Sequence, residues 1–538
     1  MRLSRCFAAL VLLLSACGGG NNDGSSSPVL PSAPLVVAGP DPLLPKQWHL
    51  FNTGQSGGIP GMDIGLNNLT ETGQGVLIAF IDGAVQINHP DLVANLFSLN
   101  GFLPTTDPSP PAAPANAPYD NRPGGWDDAH GTAVVGIAVA SWNNGIGGRG
   151  VAPGAAFIAL NGIVGGRVGA ALKNAVDIGA DVVNNSWGSL DQQDGQGGSY
   201  QAADPTWIDA VKHALAKGRQ GRGTIVIAAA GNGGRLDDSN RDGYANQLGV
   251  FAVGAVDHRG QPPSFAEPGA NILVSAPSMS LLERNTGQAE IWTTDIVGPR
   301  GLEGSSRSSN DDYAAFAGGT SAAAPMVSGV VALMLQANTL LTWRDVRWLL
   351  AKTARPSDLG TISPEPSPMT MHGFHPLVGF GRVHAADAVK AARGFVGLPT
   401  ERQCDSGLLI VDQPIEDAPA PGVKATYRFT DCTLKIVESV QITLTVDHLY
   451  GADLEVILTS PNKTKSVLAK PHFCNPDTKR PCGDLSAGWV FHSIRHLGEV
   501  VHSPGQSEMS QTWDLDVRDR QSGDSGRWRA WRILLTGH

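Results

Sequence analysis

Cysteine is scarce in this chain: there are six in 538 residues, and two of them, Cys6 and Cys17, lie within the first seventeen positions. So few thiols exclude a fold held together chiefly by disulfides. An excess of basic residues is also missing, with 39 Lys and Arg against 49 Asp and Glu and a net charge of −10. This balance argues against a nucleic acid partner or an anionic membrane surface, and leaves room for acidic pockets that attract cationic substrates. Past the leading segment no run reads as long and apolar enough to span a bilayer. What is present is 41% hydrophobic residues and 66 glycines over a length that suits two or more domains with a large core.

Three short segments carry the chemistry. Gly319-Thr320-Ser321-Ala322 sets a serine after a glycine turn, at the mouth of a long apolar helix. An apolar strand runs into Asp82, and Asp128-Ala129-His130-Gly131-Thr132 opens a buried helix. A serine hydroxyl becomes a useful nucleophile only when a neutral imidazole takes its proton, and the imidazole needs a carboxylate to fix its tautomer. The chain order Asp, His, Ser is one of the known orders of such a triad. Asn232, in Gly231-Asn232-Gly233-Gly234 after another apolar run, offers an amide donor for a developing oxyanion, an effect of roughly a hundred- to a thousand-fold in rate. Singly, each segment reads as a helix cap or a turn. Their joint order is what makes a catalytic reading win.

The segment around the triad residues alternates short apolar runs with helical patterns. Strands are expected over 76–81, 157–160, 181–185, 224–230 and 250–256, and helices over 130–140, 169–178, 207–216, 321–336 and 343–352. Alternation of this kind predicts an α/β fold, a parallel sheet flanked by helices. Two stretches, 103–125 and 278–312, are read as surface loops from their proline, alanine, serine and glycine content. After about residue 395 the pattern changes to period-two strands near 425–429, 440–446 and 453–461, which suggests a β-sandwich or jelly roll. The other cysteines, Cys404, Cys432, Cys474 and Cys482, all fall in this part and allow three pairings. Cys404 with Cys432 and Cys474 with Cys482 is favoured, because close sequence pairs close at low entropic cost.

At the other end, residues 1–17 have a basic start and a short apolar run, the pattern of a signal peptide. Leu14-Ser15-Ala16-Cys17 resembles a bacterial lipobox, which implies acylation of Cys17 and a lipid anchor in a bacterial membrane. Residues 18–40 are a Gly, Asn, Ser and Pro tract suited to a flexible tether.

Nearly everything after residue 40 resembles the subtilisin-like serine proteases, and within them the kexin and furin branch. The resemblance rests on the segments Asp41 to Leu50, Asn88 to Leu92, Asn185-Ser186-Trp187-Gly188, Gly231 to Tyr244 and Leu341 to Val346. Segments around Pro461, Trp513 and Trp531 resemble the P domain of that branch. The resemblance implies a peptidase domain over 41–395, a P domain over 396–538, and Asp82, His130 and Ser321 as the triad with Asn232 at the oxyanion. It also gives Asp191 and Asp242 to an anionic pocket for a basic residue before the scissile bond, and Asp191, Asp238 and Glu267 to a Ca2+ ion behind it. Crowded carboxylates repel one another, and a hard cation with oxygen ligands relieves that repulsion. A second Ca2+ site is suggested by Asp41, Asp91 and Asn144 with the carbonyls of Ser141, Ile146 and Gly148.

Where the branch has a second aspartate beside the catalytic one, this chain has Gly83, although Asp127 persists before His130. Weaker recognition of a basic residue two positions before the cut follows. Ser186, Trp187 and Gly188 are expected to pair with an extended peptide as an added strand, with core packing as the other reading of Trp187.

The function expected is a calcium-dependent serine endopeptidase acting on proteins and peptides after Arg or Lys. A broad degradative subtilase, or an inert protease fold used as a binding module, are the alternatives. Export to a bacterial cell envelope or beyond it is expected. So is a separately encoded folding chaperone, because the tether is too short and polar to template a large parallel fold.

Overall fold

The computed structural model describes residues 39–97, 126–163, 166–191, 199–279, 289–298, 301–302, 312–316, 318–360, 363–472, 483, 485–501 and 512–538, with the side chains of residues 126–128 and 316 excepted. Six strands build the central sheet: β1 (Leu77–Asp82), β2 (Ala156–Asn161), β3 (Val182–Asn185), β4 (Ile225–Ala229), β5 (Val250–Val256) and β6 (Ile272–Pro277). They are parallel and ordered β2-β1-β3-β4-β5-β6. Both faces are covered, so the strands read as continuous apolar runs rather than as alternation. Along β1, Ile78 and Phe80 enter one hydrophobic cluster and Leu77, Ala79 and Ile81 the other. Helices α2 (Val168–Ile178) and α3 (Pro205–Gly221) cover the second face. The first is covered by α1 (Trp126–Val139), α4 (Thr320–Ala337), α5 (Trp343–Thr353) and α6 (Ala385–Arg393).

The expected α/β fold is therefore present, with β6 and α6 added to the elements expected from the sequence. Two readings need correction. First, α4 does meet the length and hydropathy of a membrane span, at 18 residues, but 89% of that window is buried. It is a core helix surrounded by the sheet and its companion helices. Second, the 278–312 stretch is not all surface loop. It contains β7 (Ile291–Thr294), paired antiparallel with β8 (Tyr313–Phe316). The Thr293 and Thr294 hydroxyls donate to the carbonyls of Ala133 and Thr132 at 2.9 and 2.7 Å. Polar residues hid this strand because their hydroxyls are used against the α1 backbone rather than toward water. Residues 103–125 lie outside the described residues.

The C-terminal strands are β9 (Arg402–Asp405), β10 (Leu409–Ile415), β11 (Val423–Tyr427), β12 (Val437–His448), β13 (Leu454–Thr459), β14 (Lys465–Ala469), β15 (Leu485–Ser493), β16 (Trp513–Asp519) and β17 (Gly526–Gly537). One antiparallel sheet runs β10-β17-β12-β15 with β9 on β17, and the other runs β11-β16-β13-β14. Alternate residues such as Leu454, Val456 and Leu458 of β13 and Leu515 and Val517 of β16 point into a shared core. Cys404 and Cys432 form a disulfide. Cys474 and Cys482 lie outside the described residues.

The sandwich is fastened to the α/β layer by a buried ion cluster. Glu438 of β12 takes both Arg344, through Nε at 3.0 Å and through Nη2, and Arg347 at 3.3 Å, both from α5, and accepts from His538 Nδ1 at 2.9 Å. Burial pushes the Glu438 carboxyl up, but the bonds from Arg344, the charge of Arg347 and the bond from His538 outweigh it and hold it below its ordinary 4.5. A depressed carboxyl contributes stability that is complete above the unfolded pKa and is lost as pH falls through the folded one. Glu438→Gln in an inactive Ser321→Ala background should therefore lower the melting temperature at pH 7, and the gap to the parent should narrow below about pH 4.5. Melting curves across pH check this; a gap that stays constant into acid would remove the ionic role.

Candidate active site

The carboxyl edge of the parallel sheet gathers the catalytic candidates, as such edges do in open α/β sheets. Asp82 is the last residue of β1, Ser186 follows β3, Asn232 follows β4, His130 is in α1, and Ser321 is in the first turn of α4. Asp82, His130 and Ser321 are all buried, at 1%, 9% and 8% exposure. Asp82 Oδ1 accepts from His130 Nδ1 at 2.8 Å and from the Gly83 amide at 2.8 Å. That bond places the imidazole proton on Nδ1 and leaves Nε2 as the base.

Local sequence explains the pose of Ser321. Gly319 takes φ 57° and ψ −145°, a region closed to side chains, and a Cβ there would lie 2.2 Å from Asn232 Oδ1. Four residues after Ser321 stands Pro325, which has no N–H for the Ser321 carbonyl. The Ser186 hydroxyl takes that role, donating to the Ser321 carbonyl at 2.9 Å, while Ser321 Oγ donates to the Ser186 carbonyl at 2.9 Å. Asn184 Nδ2 donates to Ser186 Oγ at 3.0 Å, and Asn184 Oδ1 accepts from Ser328 of α4 at 2.9 Å. The sequence marks Asn184 only as the start of the segment through Gly188 expected to bind the substrate backbone; its side-chain link from β3 to α4 had no signal there.

The Asn232 amide oxygen accepts from Thr320 N at 2.8 Å and Thr320 Oγ1 at 3.0 Å, which fixes the direction of its Nδ2 donor. Its own backbone N–H donates to Asp191 Oδ1 at 3.2 Å, and Gly233 N donates to Glu267 Oε1 at 2.7 Å. The oxyanion candidate is thus hung on an acidic cluster. A cavity beside it is lined by Asp191, Asp237, Asp238, Asp242, Glu267 and Arg241, among others. Burial, then the charges of Asp237 and Asp191, push Glu267 well above the usual range. Burial, with Asp237 and Asp242, raises Asp191 despite the bond from Asn232.

Asp238, expected with Asp191 and Glu267, caps the turn at Asn240 N (2.9 Å). Burial raises its carboxyl to about 7 although Arg241 and Lys470 pull it down. The charge of the neighbouring Asp237 acts on both Asp191 and Glu267.

Asp242 is held by Ser189 N and Oγ at 3.0 and 2.9 Å and by Tyr244 N at 2.7 Å. Burial raises it in spite of these donors. A Cβ on Gly188 would meet Asp242 Oδ2 at 2.4 Å, so a side chain there would displace the carboxylate. Trp187 turns its side chain inward: Nε1 donates to Ile81 O at 2.8 Å, and the ring packs edge-on against Trp207 and Tyr244. The core-packing reading therefore holds for its side chain. The side chain of Asp127 lies outside the described residues.

At the second cation candidate, Asp41 accepts from Asn143 N and Asn144 N at 3.1 and 3.2 Å, and Asn144 Nδ2 donates to Asp91 Oδ1 at 2.6 Å. Burial raises Asp91 to about 7, the Asn144 bond lowers it, and Asp41 raises it further. The Asn144 oxygen accepts from Ile146 N at 3.1 Å, and the Ser141 amide donates to the Asp91 carbonyl at 2.9 Å. A Cβ on Gly148 would press on Gln47. Both acidic groups offer oxygen donors and excess buried negative charge, which fits Ca2+.

Comparison with known proteins bears on the fold and the family. The Subtilase family matches residues 73–381, and the proprotein convertase P-domain matches residues 437–535. Neuroendocrine convertase 2 of Bos taurus is 30% identical over 520 residues, covering 92% of this chain and 74% of the relative. That of Drosophila melanogaster is 30% identical over 514 residues, covering 92% and 72%. A serine protease of Aeromonas sobria superposes with TM-score 0.75 at 25% identity, covering 93% of this chain and 96% of that one, and the same protease solved with a chaperone gives the same score. A parallel sheet with catalytic candidates at its carboxyl edge, joined to an antiparallel sandwich and matched over most of its length, belongs to the subtilase family of serine endopeptidases.

Proposed function

We propose that this endopeptidase is calcium-dependent and cuts proteins after Arg or Lys, with Ser321 as nucleophile, His130 as general base, Asp82 orienting the imidazole and Asn232 donating to the oxyanion. The observation that carries the catalytic part is the 2.8 Å bond from His130 Nδ1 to Asp82, with Ser321 bound to Ser186 at the start of α4. In the reaction the Ser321 hydroxyl leaves the Ser186 carbonyl, passes its proton to His130 Nε2 and attacks the scissile carbonyl. His130 then returns the proton to the leaving amine, and water repeats the cycle on the acyl enzyme. Bound peptide would lie along Ser186 to Gly188 as an added strand.

The gathering of Asp191, Asp237, Glu267 and Asp242 beside the Asn232 loop supports the specificity and the cation. Ca2+ would be held by Asp191, Asp238 and Glu267, with Asp237 adding charge to the same cavity, and would neutralise charge that otherwise loosens this loop, while Asp242 serves the basic side chain. Asp41, Asp91 and Asn144, with carbonyls near Ser141, Ile146 and Gly148, would hold a second ion. A broad degradative preference is the second reading, favoured by the three short bonds that already occupy Asp242.

The division into a peptidase domain over 41–395 and a P domain over 396–538, export directed by residues 1–17, a lipid anchor on Cys17 and a tether over 18–40 belong to the same proposal. The convertases it resembles and the Aeromonas sobria protease solved with a chaperone support export and an assisted folding route.

Ser321→Ala should leave the fold intact and less than about a thousandth of peptidase activity; a larger remainder counts against the triad. Asp242→Asn should cut kcat/KM for peptides with Arg or Lys before the cut by roughly 100-fold and spare neutral ones, an effect of the size expected for a lost charged contact. Uniform losses would favour the broad reading. Asp238→Asn should raise the calcium concentration needed for thermal stabilisation at least about tenfold, and Asp237→Asn should shift it less. Calcium-dependent melting of both variants checks this, and the reverse ranking would move the ion to Asp237.

A further inference from the structure

The proposed function, on which this inference rests, gives Asp242 the basic side chain before the cut, and the hydrogen bonds already on that carboxylate limit what the side chain can be. Asp242 Oδ1 accepts from the Ser189 hydroxyl at 2.9 Å, from the Tyr244 amide at 2.7 Å and, at the longer distance of 3.4 Å, from the Ala245 amide. Oδ2 accepts from the Ser189 amide at 3.0 Å. A carboxylate oxygen has two lone pairs. Oδ1 is therefore filled by its two short donors, and among donors from the described residues Oδ2 keeps one lone pair. That oxygen also lies against the segment assigned to the bound peptide, since a Cβ on Gly188 would stand 2.4 Å from it.

Ser189 supplies two of these donors and is held in place. The next residue, Leu190, donates its N–H to Gln201 Oε1 at 3.3 Å and accepts from Gln201 Nε2 at 2.8 Å. The Gln201 backbone is tied in turn to the loop that carries Asp242, donating to Arg241 O at 2.9 Å and accepting from Gly243 N at 2.8 Å. Donor segment and acceptor loop are thus fastened to the same residue, and neither retreats without breaking both sets of bonds. Asp191, the other acid given to the pocket, is turned elsewhere: it accepts from the Asn232 amide at 3.2 Å and shares a hydrogen bond with Glu267.

An Arg guanidinium grips a carboxylate best as a fork, with one N–H to each oxygen. Here Oδ1 has no lone pair for the second prong, and an N–H buried against it without a partner weakens binding. A Lys ammonium is a compact charge with three rotatable protons and needs only the Oδ2 lone pair. We propose that Ser189 is a specificity-determining residue that makes Asp242 an acceptor for one donor, so that the enzyme cuts after Lys at least as fast as after Arg. Its hydroxyl is the decisive group, because the other three bonds to Asp242 come from backbone N–H groups. Without it, Oδ1 regains a lone pair and the fork becomes possible.

The test uses the full chain in saturating Ca2+ and a peptide series that differs only in Arg, Lys or Gln before the cut. In the parent, kcat/KM for Lys should equal or exceed that for Arg, with both well above Gln. Ser189→Ala should raise the Arg-to-Lys ratio roughly tenfold, the size of one regained charge-assisted bond, whereas a merely structural loss would lower both rates together. Ser189→Thr keeps the hydroxyl and should keep the parent ratio. Adding Asp242→Asn to both the parent and Ser189→Ala should erase the difference between their ratios. Faster cutting after Arg than after Lys in the parent, a ratio that Ser189→Ala leaves unchanged, or a change that survives Asp242→Asn would each overturn the role of Ser189 and leave the basic pocket standing. Equal rates for Gln, Lys and Arg would instead remove the pocket, and the role of Ser189 with it.

Discussion

Buried negative charge beside the Asn232 loop is the constraint on which the active site depends. Asp191 and Glu267 each accept a backbone N–H from the Gly231 to Gly233 turn, so the position of the oxyanion candidate follows the position of these acids. Carboxylates driven together in a buried cavity relax apart unless protons or a cation compensate them. A cation held there would act on turnover without touching the substrate, because it sets the turn that carries Asn232.

The sandwich bears on the same region from outside. The Trp489 indole donates to Asn240 O at 3.0 Å, Asn246 Nδ2 donates to Val490 O at 2.6 Å, and the His492 amide donates to Asn246 Oδ1 at 2.9 Å. Arg241 reaches Lys470 O, and Tyr200 packs edge-on against Trp489 and Phe491. These contacts hold the loop from Asn240 to Asn246, which contains Asp242. With the Glu438 cluster on α5, they make the sandwich part of the architecture that holds the Asp242 loop.

Much of this was legible before any coordinates. Strands β1 to β5 announce themselves as apolar runs, because a parallel sheet covered on both faces needs no polar alternation. Helix α4 was legible for the same reason. The strand β7 was not, since Thr293 and Thr294 look like loop residues until their hydroxyls find the α1 backbone. Asp237 was not read as part of the site, because its effect on Asp191 and Glu267 depends on loops that only the fold brings together. Nor did Trp187 declare its direction; only its neighbours Trp207 and Tyr244 do so.

The sequence by itself determined the kinds of chemistry on offer: a serine behind a strained glycine, a histidine and an aspartate at element ends, an asparagine in a glycine turn, and acids in the loops after the strands. These are local properties, fixed by φ and ψ preferences and by hydrophobic periodicity over a few residues. Tertiary structure alone decided which of them meet. The Ser186 hydroxyl replaces the donor that Pro325 removes 139 positions later, Asp237 acts on both Asp191 and Glu267, and His448 faces Asp519 and Asp524 across two sheets. Such pairings depend on sheet order and on which groups burial leaves without water, and neither is written in any short stretch of the chain.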